Sequence, residues 1–101
     1  IASMQPFHAN PSPNQIDVWA GNIGPDRASR AWVWKSIRDT GGRLAFGSDW
    51  PVVSIDPLIG LNMAVKRTTP DGQPVEGWLP EQRLPLCCFI GMRLRFQKTC
   101  V

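Results

Sequence analysis

Residues 43–53, Arg43-Leu44-Ala45-Phe46-Gly47-Ser48-Asp49-Trp50-Pro51-Val52-Val53, decide how the chain is read. Leu44, Ala45 and Phe46 form a short apolar run, and Gly47 breaks it immediately before Ser48 and Asp49, so the segment reads as a strand ending in a polar site. Upstream, Gly41-Gly42 stops a helix expected over about Pro25–Thr40. Pro25 suits its first turn and Asp26 its positive end. Ala31, Val33, Trp34 and Ile37 give it an apolar face, while Arg30, Lys35 and Arg38 can point to solvent. Further back, Ile1–Met4 reads as another strand. Pro6, Pro11 and Pro13 then predict an extended polar loop carrying His8, and residues 16–24 (IDVWAGNIG) are ambiguous. Downstream, Asp56 is placed as a helix N-cap with Pro57 at the first position and Leu58, Leu61, Ala64 and Val65 on one face. Residues 68–78 (TTPDGQPVEGW) are turn chemistry. Strand, helix, strand, helix is the alternation that implies parallel strands covered by helices.

The charge of the chain is divided along its length. The 101 residues carry eleven Lys+Arg against eight Asp+Glu, a net charge of +3. Through position 82 there are seven basic and eight acidic residues, whereas Arg83, Arg93, Arg95 and Lys98 follow with no acid. The basic character therefore belongs to the last nineteen residues and argues against a nucleic-acid surface spread over the fold. The five tryptophans, Trp19, Trp32, Trp34, Trp50 and Trp78, are expected to pack rather than to stack on bases, because no basic stripe accompanies them. No apolar run approaches the roughly 18 residues that cross a bilayer, and IASMQP lacks the charged and apolar regions of a leader. Three cysteines, Cys87, Cys88 and Cys100, fit no zinc or disulfide framework and suggest a reducing, cytoplasmic setting.

In parallel α/β folds ligands bind at the carboxyl ends of strands, where the loops surround a common crevice. His8 and Asp49 both stand there. A carboxylate in that place can ligate a divalent metal or take a proton from water, and an imidazole can ligate, donate a hydrogen bond or shuttle a proton. The plainer alternatives are an Asp that caps a turn and a loop His with no function. Two such residues do not complete a zinc site, which needs about three protein ligands and a water. Trp50, next to Asp49, would lie at the rim of a pocket built around that carboxylate.

Taken together, residues 2–9 (ASMQPFHA) and 24–84 (GPDRASRAWVWKSIRDTGGRLAFGSDWPVVSIDPLIGLNMAVKRTTPDGQPVEGWLPEQRL) resemble the C-terminal part of the metal-dependent amidohydrolases of family 3, the branch that includes N-substituted formamide deformylases. The resemblance covers about residues 1–86 and rests on SMQPxHA, GSDWPV, DPLxGLxxAVxR and PDGxPxxGWxPEQRL in combination. It implies an α/β fold, a partial (β/α)8 TIM barrel, in which Ile1–Met4 is the seventh strand and Leu44–Gly47 the eighth. It further implies that Asp49 is the metal ligand and general base, that His8 lies on the substrate side, with a direct metal contact as its alternative, and that Arg67 and Trp50 border the substrate; a solvent-facing charge and a packed indole are the alternatives for the last two. A divalent metal, zinc in this family, and a small-molecule amide substrate follow from the same resemblance. The family's other ligands, an HxH pair and later histidines, would lie upstream.

After Leu86 the resemblance stops, and residues 87–101 read as a divergent basic tail, of frame-shifted or other non-homologous origin. The expected function is that of an amidohydrolase fragment cleaving a non-peptide C–N bond with metal-activated water, inactive alone and prone to aggregate because sheet edges stay open. The alternatives are a small basic nucleic-acid-binding module, with the tail as its contact, and a truncated product without function.

Overall fold

The computed structural model describes residues 1–90; expectations for the tail beyond them lie outside the described residues. Strand β1 (Ala2–Met4) pairs in parallel with β2 (Leu44–Phe46) in the register Ala2 to Leu44, Ser3 to Ala45 and Met4 to Phe46. The ladder reaches one residue past each end, with Ala2 N–H donating to the Arg43 carbonyl at 2.8 Å and Gly47 N–H to the Met4 carbonyl at 3.1 Å. Alternation along the strands turns Met4, Leu44 and Phe46 onto a core of Ala9, Trp34, Ala64 and Leu84. Ser3 and Ala45 are exposed on the other face. The parallel pairing is the one that the strand and helix alternation implies.

The prolines do not produce an extended loop. Pro6–Ala9 forms a 3-10 turn, and Asn14–Ala20 a π-helix continuing into α1 (Gly21–Ile23). A proline in a first turn forfeits no helical hydrogen bond, so Pro6 and Pro13 start these pieces rather than preventing them. The Ser12 carbonyl supports the second start, accepting from the N–H groups of Gln15 and Ile16 at 2.9 Å.

The helix expected over Pro25–Thr40 is broken. It becomes α2 (Pro25–Ala28) and α3 (Trp34–Asp39), separated by a turn in which Trp32 sits at φ +49°. In a continuous helix Ser36 N–H would donate to the Trp32 carbonyl. Here it donates to Gln82 Oε1 at 3.1 Å, and the freed Trp32 carbonyl accepts from Arg67 Nη1 at 3.3 Å. Both substitutes come from the far end of the chain, which is why local pattern could not announce the break.

Helix α4 (Pro57–Lys66) starts as its residues dictate, with the Asp56 carboxylate accepting from Leu58 N–H at 2.9 Å and Pro57 in the first turn. Its packing is concentrated in the second half, where Met63 and Ala64 are buried, while Leu58, expected on the core face, is exposed. The helix ends at Arg67 in the left-handed region, φ 60°. Residues 68–84 then fold back and supply donors to the carbonyls a helix end leaves open. Leu84 N–H reaches the Ala64 carbonyl at 2.9 Å, Arg83 Nε the Lys66 carbonyl at 3.1 Å, and Trp78 N–H the Arg67 carbonyl at 2.8 Å. Gly77, at φ +71°, permits the close approach; a Cβ there would lie 2.5 Å from the Lys66 carbonyl oxygen.

Reciprocal bonds between Gln82 and Ser36, Oε1 from N–H at 3.1 Å and Nε2 to Oγ at 2.8 Å, tie this return segment to α3. The described chain ends in α5 (Cys87–Ile90). Cys88 is free. Among the described residues no helix is long and apolar enough to cross a membrane.

Candidate active site

Parallel strands in register deliver their following loops to one end of the sheet. His8 comes four residues after Met4, inside the 3-10 turn, and Asp49 three residues after Phe46, its paired neighbour. The two side chains meet, with His8 Nε2 and Asp49 Oδ2 2.9 Å apart. An ionised carboxylate can only accept, so the imidazole donates through Nε2. The pair is open to solvent, with 35% of the His8 and 49% of the Asp49 side chain exposed.

The backbone around Asp49 is held by its own turn. Asp49 sits at φ +66°, a region that Asp tolerates better than most side chains. Its carbonyl accepts from Val52 N–H at 2.9 Å, and Ser48 Oγ accepts from Trp50 N–H at 3.2 Å. Ser48 thus shapes the turn that presents the carboxylate. Sequence reasoning passed over it, although a Ser just before a strand-end Asp is a turn-forming signal. Trp50 follows and is 64% exposed.

Arg67 is engaged elsewhere. Its side chain is fully buried, donates from Nε to the Trp78 carbonyl at 2.7 Å and from Nη1 to the Trp32 carbonyl at 3.3 Å, and stacks over Trp34 and Trp78 with its guanidinium carbon 4.5 and 5.6 Å from their ring centroids. Burial lowers its pKa to about 10, with the charge of Glu81 acting in the opposite sense. Neither His8 nor Asp49 is among its partners. The structure therefore brings together His8, Asp49 and the adjacent Trp50, and places Arg67 under the tryptophans.

The donor set for a metal is incomplete in this chain. One imidazole and one carboxylate face each other, and among the described residues no group of three or more His, Cys, Asp or Glu could hold a metal ion. Zinc centres take about three protein ligands and a water, so the pair could be part of such a centre and cannot make one alone. What the pair can do unaided is hold a carboxylate in a fixed orientation at an open strand end.

Two curated relatives share sequence with most of the chain. "Protein LONG AFTER FAR-RED 3" of Arabidopsis thaliana is 35% identical over 85 residues, covering 83% of this chain and 14% of that protein. "Putative amidohydrolase YtcJ" of Bacillus subtilis (strain 168) is 34% identical over 84 residues, covering 82% of this chain and 15% of that protein. The chain thus spans about one-seventh of the length of the relatives it matches. No family model matches the chain, and no solved structure does.

Proposed function

We propose that the chain is the closing portion of a metal-dependent amidohydrolase, with β1 and β2 as the seventh and eighth strands of a (β/α)8 barrel and Asp49 as the carboxylate that serves the reaction. The observation that carries this reading is the 2.9 Å contact of His8 and Asp49 at the carboxyl ends of two parallel strands, the end of such folds where chemistry takes place. The likeness to YtcJ over 84 residues supports it.

In this proposal Asp49 takes a proton from the attacking water and returns it to the leaving amine of a small, non-peptide amide. His8 donates to the carboxylate through Nε2, which fixes one carboxylate oxygen and leaves the other for the reaction. Trp50 stands at the rim. A divalent ion, when bound, would supply Lewis acidity and lower the pKa of water, with Asp49 among its ligands and the others contributed by sequence upstream of Ile1. The chain alone, holding two donors, is expected to be inactive.

The test is made on the longer protein encoded by the reading frame that contains this chain. It should carry an HxH pair upstream, contain stoichiometric metal and hydrolyse simple amides or formamides. Asp49→Asn should lower turnover by about 10²-fold or more, the scale of general acid–base catalysis. Undiminished turnover in that variant would remove Asp49 from the reaction.

A further inference from the structure

We propose a second binding site, remote from His8 and Asp49 in its contacts and independent of the hydrolase reading, that takes a planar aromatic carboxylate. It is an open, shallow surface groove of about 280 Å3 lined by Trp19, Ile23, Arg27, Arg30, Ala31 and Trp32. Enclosed ligand sites run from about 300 to 1,000 Å3; this smaller, open groove offers a surface against which a single ring can lie.

Three observations define what would fit. The walls are aromatic and mutually braced: Trp19 lies on Trp32 with centroids 5.0 Å apart, and Trp78 backs both at 6.4 and 5.6 Å. Trp19 nevertheless remains 37% exposed, so its indole is only partly covered by its neighbours. The rim is cationic. Arg27 and Arg30 are both exposed, and the ion pairs among the described residues, His8 with Asp49 and Lys35 and Arg38 with Asp39, include neither. Asp26, the nearest acid in sequence, is not paired to either guanidinium. The third observation is backbone strain. Trp32 is held at φ +49°, unfavourable for a bulky residue, and in this conformation it both packs against the core cluster that contains Trp34 and lines the groove.

An indole wall prefers a flat, polarisable ring, and two unpaired guanidinium groups prefer a planar, bidentate anion. One molecule with both properties is an aromatic carboxylate. Aliphatic carboxylates lack the face, and neutral aromatic amides lack the charge. The site asks for both at once.

The probe is benzoate, titrated into the full chain at low micromolar concentration and followed by tryptophan fluorescence and calorimetry. Saturable binding on the order of 1 mM is expected for so small a ligand, with benzamide and cyclohexanecarboxylate each at least about tenfold weaker. Arg27→Gln combined with Arg30→Gln, both at exposed positions that leave the core untouched, should weaken benzoate about tenfold or more. Trp19→Leu should do the same, and Asp49→Asn should leave benzoate binding at its parent affinity. Equal affinity for benzamide, equal affinity for cyclohexanecarboxylate, an unaffected double arginine variant, or no saturation would each overturn the proposal.

Discussion

The strand-end pair and the clasp around Arg67 use the same kinds of residue to opposite ends. His8 and Asp49 form one polar contact in the open, on turns closed by few bonds. Arg67 is wholly enclosed, with two carbonyl acceptors, two indole faces and the returning segment 76–84 wrapped around it. An exposed ion pair contributes about 0–1 kcal/mol, whereas removing a buried donor leaves its acceptors unmet and a cavity behind. Charge at the strand end is therefore free to be used on something else, while charge at the clasp is committed to the fold.

That contrast can be broken in graded steps. Arg67→Ala is expected to have the largest effect, about 3 kcal/mol or more, enough to unfold a marginal chain of this size; urea titration followed by circular dichroism measures it, and a loss below about 1 kcal/mol would place the clasp on a par with the strand end. The charge itself leaves a pH signature. Because burial lowers Arg67 to about 10, below the ordinary arginine value, the unfolded chain holds its proton to higher pH than the folded chain does. Stability relative to Arg67→Met should then rise as pH increases above about 10, and this group should add little slope below it. Gln82→Ala comes next, at about 1–3 kcal/mol, since it strands Ser36 N–H with its neighbouring carbonyl already taken. Asp56→Ala should cost about 0.5–2 kcal/mol through the lost N-cap of α4. Asp49→Asn closes the series within about 1 kcal/mol of the parent; a large destabilisation there would mean that the strand end, too, is structural.

What could be read in advance follows the range of the forces involved. Asp56, Pro57 and the strand at Leu44–Phe46 act within a turn of their own position, and local pattern is enough to place them. The meeting of His8 and Asp49 needed one further step, that parallel strands bring their loops to one end. The break at Trp32 could not be reached in this way. Residues 25–40 are a sound helix in isolation, and the acceptor and donor that undo it belong to Gln82 and Arg67, 46 and 35 positions from their partners. Leu58 failed for a different reason: periodicity says which side of a helix is apolar, not whether anything lies opposite it. Arg67 was weighed as a substrate-bordering group through its place in the AVxR motif, with a solvent-facing charge as the alternative; its burial depends on Trp34 and Trp78, which arrive from two other segments.

The bare face of the sheet sets a condition on its neighbours. Ser3 and Ala45 stand side by side there, one a hydroxymethyl group and the other a methyl. Protein interiors are filled to crystal-like density, so a surface this shallow leaves most of the intervening depth to whatever is laid over it. The opposing side chains would have to be long or branched, such as Leu, Ile, Phe or Met. Two copies set face to face would meet with small groups on both sides and a gap between them, which makes a copy of the chain itself a poor cover for this face.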